Sequence, residues 1–183
     1  MISFWLDEDI ELRQFVETDA ENVYTAVKEN LEHLRPFMHW AVPDYSRKSA
    51  RDFLAASVKS AAERTNLGFG IFLDGKVIGS IGYVYFDWIS KRTEIGYWVA
   101  RTQEGRGIIS RSCRRLIDYA FDELDMNRIE IRCAASNTRS RAVPERLGFV
   151  QEGLLRQCEL RNSVLHDFAV YGLLKEDWKS GSK

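Results

Sequence analysis

The hydrophobic positions change period along the chain, and each change marks an element. Residues 10–16 roughly alternate, with Ile10, Leu12 and Phe15 as apolar markers, and predict a strand. Thr18-Asp19-Ala20-Glu21 has the form of a capping box opening a helix to about Asn30. Residues 31–45 carry Pro36 and Pro43 among bulky apolar side chains and read as a short helical turn and a loop. Ser46 stands where it would cap a helix over residues 47–64, in which Phe53, Leu54, Val58 and Ala61 keep helical spacing. Asp74-Gly75, between residues 69–73 and 76–88, is a hairpin signal, and residues 94–100 continue as a third antiparallel strand.

The clearest helix follows. Ile109, Cys113, Leu116, Ile117, Ala120, Phe121 and Leu124 recur at steps of three and four, while Arg111, Arg114, Arg115 and Asp118 face elsewhere. Residues 128–134 then predict a strand, 140–147 a short helix, and 149–160 with 164–174 a final strand pair; residues 180–183 should fray. A strand meander followed by strands alternating with helices implies an α+β (mixed α/β) domain, its mixed sheet covered by helices on both faces.

Composition narrows the function. A chain of 183 residues is one domain, and a net charge of −1 gives no support for nucleic-acid binding. Cys113, Cys133 and Cys158 are odd in number and far apart, which points to reduced thiols in a cytoplasmic setting. His33, His39 and His166 lack metal-ligand spacing, so no metal is expected. Asp7, Glu8 and Asp9 stand where a signal peptide would be apolar, and no run approaches a membrane span.

The most informative run is Gln103-Glu104-Gly105-Arg106-Gly107-Ile108-Ile109-Ser110, between a strand and the longest amphipathic helix. A helix's first turn leaves about four N–H groups without partners, and the aligned peptide dipoles make that end partly positive. Both favour a phosphate or pyrophosphate, which Gly105 and Gly107 would let the backbone approach closely. No Lys follows either glycine as a Walker loop requires, and a third glycine for a dinucleotide fingerprint is missing.

A second motif, Asn137-x-x-Ser140-x-x-Val143-Pro144-Glu145-Arg146-Leu147-Gly148-Phe149, lies about 30 residues on and is followed by Glu152-Gly153-x-x-Arg156. Together with the glycine turn, Ile10-Glu11-Leu12-Arg13, Ile95-Gly96-Tyr97-Trp98 and the stretch from His166-Asp167 to Tyr171, it resembles the GNAT superfamily of acetyl-CoA-dependent N-acetyltransferases. Within it the chain is most similar to the RimJ/RimL-like, ribosomal-protein N-terminal type, from about Ile10 to Trp178.

The resemblance implies a single-domain, mostly antiparallel, splayed sheet, with acetyl-CoA as cosubstrate. Glu104, Gly105, Arg106, Gly107, Ile108 and Ile109 would cradle the pyrophosphate, chiefly through main-chain amides. Pantetheine would lie between residues 97–100 and 128–134, with Asn137 on its arm or fixing the next helix and Ser140 near the sulfur. Two departures stand out. Glu104 occupies a place where the superfamily has Gln or Arg, and its carboxylate would repel a pyrophosphate unless turned to solvent. Pro144 occupies the place of a proton-donating Tyr.

Acetyl transfer to an amine needs a neutral nucleophile, a polarised carbonyl and a stabilised leaving thiolate. With pKa values of about 7.7–8.0 for an α-amine and 10.4 for lysine, roughly a tenth of α-amines are neutral near pH 7 but almost no lysines. One carboxylate acting through water then suffices as base, and the match to the RimL type assigns this to Glu159, against a plain surface glutamate. Ser140 is the candidate donor to the thiolate, or simply a helix-start serine. The N–H of Val99 would polarise the carbonyl, and His39 and Trp40 would line the acceptor pocket. Cys133 and Tyr171 read more simply as core residues. Three outcomes stay open: a protein N-terminus as acceptor, a small amine such as a polyamine or aminoglycoside, or a non-catalytic acyl-CoA-binding module. A homodimer is the assembly the family resemblance implies.

Overall fold

The computed structural model describes residues 1–161 and 163–181; of the tail expected to fray, Ser180 and Gly181 belong to a helix, and Ser182 and Lys183 lie outside the described residues. The elements run β1 (Ser3–Trp5), β2 (Ile10–Gln14), α1 (Ala20–Glu29), α2 (Leu31–Leu34), α3 (Arg47–Ala62), β3 (Leu67–Leu73), β4 (Lys76–Asp87) and β5 (Arg92–Val99). They continue with α4 (Ile108–Asp122), β6 (Arg128–Ala134), α5 (Thr138–Arg146), β7 (Val150–Arg161), β8 (Val164–Leu174) and α6 (Lys175–Gly181). One eight-stranded sheet results, in the order β1-β2-β3-β4-β5-β6-β8-β7. Every neighbouring pair is antiparallel except β5 with β6.

Local chemistry explains most boundaries. Asp74 and Gly75 take φ of 49° and 73°, the left-handed pair that a two-residue hairpin turn requires. Ser46 and Ser49 cap α3 reciprocally, each Oγ accepting from the other's main-chain N–H at 3.2 Å. The capping box expected at Thr18 is not formed. Residues Glu17–Asp19 make a 3-10 turn instead, and no side chain caps α1. The Asp19 carboxylate accepts from Val16 N at 2.9 Å and from two Arg13 nitrogens at 2.9 and 3.1 Å. A forked, charged partner outcompetes a neutral amide cap.

Two apolar layers clamp the sheet. On one face α4 buries Cys113, Leu116, Ile117, Ala120 and Phe121 against Ile81, Tyr83, Ile95, Ile129 and Ile131, and the Tyr83 hydroxyl donates to Leu116 O at 2.6 Å. On the other, α1 and α3 bring Val23, Val27, Ala50 and Leu54 onto Phe15, Phe72 and Val77. β1 and α6 have no counterpart among the expected elements. β1 has three residues, of which only Phe4 is buried, too few to set a period.

β5 and β6 pair over three residues only, Arg92↔Arg128, Thr93↔Ile129 and Glu94↔Glu130. Beyond Glu94 they diverge, because β5 follows β4 to Val99 while β6 follows β8 to Ala134. The opening is therefore bounded by residues 95–99 and 131–134, not by all of residues 128–134. The lower half of β6 is already hydrogen-bonded to β5.

Asp19 is the best single test of the packing around α1. Replacing Asp19 with Ala strands Arg13 and an N–H, and should lower unfolding free energy by roughly 2–4 kcal/mol in urea denaturation, in line with breaking a largely buried pair.

Candidate active site

Two cavities open on the parted strands. The first, of about 1080 Å³, runs from the N-terminus of α4 to α5 and is lined by Gly105, Gly107, Ile109, Arg114, Asn137 and Arg146 among others. The second, of about 890 Å³, lies on the opposite side, under α3 and the loop after α2. Phe37, Met38, Tyr97, Trp98, Asn137 and Ser140 line both. The cavities therefore meet at the mouth of the strand opening, where a group held in one can react with a group held in the other.

The glycine turn has the geometry of an anion cradle. Gly105 and Gly107 take φ of 74° and 70°, and a Cβ on either would point into open space. The first intrahelical bond of α4 runs from Arg111 N to Gly107 O, which leaves the amides of Ile108, Ile109 and Ser110 directed outward. Glu104 does not turn to solvent. Its carboxylate lies 2.6 Å from Arg139 Nη1 and 3.4 Å from His33 Nε2, so a cation neutralises it in place. Arg106 is hydrogen-bonded to Gln103 and, unlike Gly105 and Gly107 on either side of it, does not line the cavity. Arg114, Arg139 and Arg146 do line it, and the latter two lie on α5, where the sequence offered no signal separating them from solvated arginines. The residues thus fit a pyrophosphate: free amides, no Cβ in the way, and surplus guanidinium groups.

At the junction, Asn137 Oδ1 caps α5 by accepting from Ser140 N at 3.1 Å. The Ser140 hydroxyl donates to Tyr97 Oη at 3.3 Å, and that phenol donates to Ser140 O at 3.0 Å. Burial pushes the Tyr97 pKa well above its ordinary value, so the pair stays protonated. Ala100 N donates to Ile78 O at 2.7 Å, and by the alternation of an antiparallel strand the amides of Tyr97 and Val99 point away from β4, into the opening. Cys133 faces the second cavity, and burial raises its pKa, which keeps it a thiol. Tyr171 lies in neither cavity; its hydroxyl is held by Arg141 and Glu145 in the core.

The second cavity holds two carboxylates. Glu159 on β7 is half-exposed, with Arg161 Nε 2.9 Å from its Oε2. Glu94 on β5 has an 18% exposed side chain, 3.5 Å from Arg132 Nε. Its pKa rises to about 7: burial is the main cause, Arg132 opposes it, and the charges of Glu130 and Glu159 add to it. Glu94 escaped the sequence reading, although a lone carboxylate in the apolar run before the glycine turn was the available signal. His39 and Trp40 both line this cavity; Trp40 also packs on Tyr45 and Trp98, with ring centroids 6.2 and 6.1 Å away. Packing and lining are not exclusive here.

Known proteins place this arrangement. The profile of the acetyltransferase (GNAT) domain family matches residues 9–150. The putative ribosomal N-acetyltransferase YdaF of Bacillus subtilis is 36% identical over 180 residues, covering 98% of both chains. The ribosomal-protein-serine acetyltransferase of Escherichia coli is 28% identical over 166 residues, covering 91% of this chain and 93% of that one. Among solved structures, the ribosomal L7/L12 α-N-protein acetyltransferase RimL in complex with coenzyme A superposes with a TM-score of 0.91 at 24% identity, over 96% of this chain and 99% of that one. That last likeness is one of fold.

Gly107 is where the anion cradle can be tested most cheaply. Gly107→Glu sets a side chain and a negative charge in the open space before the amides, on a backbone at φ 70° that disfavours any Cβ. Calorimetry should show coenzyme A affinity reduced at least about 100-fold, with the thermal transition little changed.

Proposed function

The chain belongs to the acetyltransferase (GNAT) family, and from that premise we propose that its acceptor is the N-terminal α-amine of a protein, of the ribosomal-protein type. Acetyl-CoA supplies the activated acyl group. The observation that carries the acceptor reading is the pair of carboxylates, Glu94 and Glu159, in a roomy cavity that joins the cofactor cavity at Ser140 and Tyr97. Relatives named for ribosomal-protein acetylation support the same reading.

Each group has a task that its surroundings suit. The amides of Ile108 and Ile109 and the main chain of Glu104 to Gly107 hold the diphosphate, with Arg114 and Arg146 beside them. Asn137 fixes the start of α5 and thereby the position of Ser140. Val99 N–H, aimed into the opening, stabilises negative charge on the thioester oxygen. Glu159 and Glu94 share the acceptor cavity, and an ammonium entering there loses its proton to one of these carboxylates. A site tuned to about 7 takes a proton readily from an α-amine of pKa about 8, but poorly from a lysine. The Ser140 hydroxyl is placed to hydrogen-bond the departing thiolate and stabilise it without giving up its own proton. His39 and Trp40 form the rim over the acceptor.

A thiol-release assay with acetyl-CoA tests this reading. Peptides with free Ser, Ala or Met N-termini should be turned over at least tenfold faster, in kcat/KM, than an N-blocked lysine peptide. Because Glu94 must be ionised to accept the proton, activity should fall as pH drops below about 7. Glu94→Gln should remove that acid limb, and Glu94→Gln and Glu159→Gln should each lower kcat/KM by about 10²-fold. Turnover of a polyamine with no turnover of any peptide would sink the reading; coenzyme binding with no turnover at all would leave a binding module.

A further inference from the structure

His33 stands in the coenzyme cavity with no part in the steps above. It lines that cavity from α2, with a side chain 20% exposed and Nε2 3.4 Å from the Glu104 carboxylate. Main-chain ties keep the two together. Asn30, between α1 and α2, donates through Nδ2 to Ala26 O at 2.9 Å and accepts on Oδ1 from Arg101 N at 2.8 Å. The segment entering the glycine turn is thereby pinned to the start of α2. His33 N donates to Asn30 O at 3.0 Å, so the imidazole is anchored to the same corner.

Charge shows what the contact is for. Glu104 belongs to the turn that receives the diphosphate, and its carboxylate has two partners among the described residues, Arg139 Nη1 at 2.6 Å and His33 Nε2. Arg139 lies in the first turn of α5 with a 73% exposed side chain, and it lines the same cavity. Beside a neutral imidazole, Arg139 is the formal counter-charge of Glu104, and a diphosphate, a dianion near neutral pH, must compete with that carboxylate for the guanidinium. Beside an imidazolium, Glu104 is neutralised by His33, and Arg139 is released to the phosphate oxygens. The remaining charges on the cavity, Arg111 and Arg114 from α4 and Arg146 from α5, disfavour a further cation until an anion enters. Along α2, Glu32 is paired with Arg35 at 3.2 Å.

We propose that His33 is a positioning residue for the coenzyme and becomes charged when the coenzyme binds: it takes a proton from solvent, its imidazolium holds Glu104, and Arg139 turns to the diphosphate. The inference rests on the diphosphate lying at the glycine turn and adds the means by which a carboxylate is tolerated there. An imidazole ordinarily titrates at about 6.5, so the coupling works near neutral pH. The sign follows from reciprocity. Coenzyme binding strengthens the hold of His33 on its proton, so affinity is highest in acid and is lost as pH rises through the range where the bound imidazolium deprotonates.

Calorimetry of coenzyme A binding near pH 7, in two buffers of unequal ionisation enthalpy, reads the proton uptake. The 3′-phosphate of the coenzyme can lose a proton of its own, so the readout is the difference between wild type and His33→Gln, whose amide keeps a hydrogen-bond donor but cannot be charged. Wild type should take up about half a proton more than His33→Gln, and its affinity should fall about fivefold more than the variant's from about pH 6 to about pH 8. In wild-type protein carrying carbon-13-labelled histidine, the His33 titration midpoint should move to higher pH when coenzyme A is added, a measurement that holds even if the variant fails to fold. Equal uptake by the two proteins, or a midpoint that stays in place, overturns the role of His33 and leaves the diphosphate at the turn. Wild-type affinity in Gly107→Glu overturns the diphosphate placement and this inference with it.

Discussion

Three parallel residue pairs hold β5 to β6, and the parting of the strands beyond Glu94 and Glu130 is the constraint on which the rest of the structure depends. Parallel strands cannot be joined by a tight turn, so the chain crosses between them through α4. Each strand is then committed on its outer edge, β5 to β4 and β6 to β8, and the twist of each half of the sheet draws the two apart. Tyr97 and the first turn of α5 prop the wedge, phenol against serine carbonyl. Because the crossover helix must start at the top of β5, its positive end falls at the mouth of the wedge. One topological requirement thus supplies the slot, the anion cradle and the main-chain donor of Val99 together.

The same geometry decides the ionisation of the acceptor side. Glu94 is the last residue of β5 still paired to β6, so it sits at the apex of the wedge, where protein surrounds it on both sides. Burial there outweighs the attraction of Arg132, whose charge is shared with Glu130, itself also bonded to Arg128. Placement at the apex, not any special partner, is what raises the Glu94 pKa to about 7.

How much of this the sequence discloses depends on the range of the interaction. α4 and its glycine turn were legible because a helical period, two glycines and a preceding strand all lie within thirty residues. The Asp74-Gly75 hairpin and the Ser46 cap were legible for the same reason. Thr18-Asp19-Ala20-Glu21 misled, since Arg47, 26 residues on, claims the Glu21 carboxylate that the local pattern assigned to the box. The repulsion feared at Glu104 vanishes through Arg139, 35 residues away, and Glu94 becomes notable only beside β6. Motifs report what neighbouring residues do; the partners that neutralise or desolvate a charge come from strands that only the fold brings together.

A net charge of −1 conceals a strong local polarity. Arg111, Arg114, Arg139 and Arg146 line the cavity before α4 with Glu104, while Glu94 and Glu159 in the cavity across the sheet are matched by Arg132 and Arg161. Between them stands a band of Tyr97, Trp98, Phe37 and Met38 that contributes no formal charge. On the proposed reading, the anionic donor is drawn to the arginine-rich side of that band. On the same reading the thioester and the amine meet at Ser140, where the two cavities join.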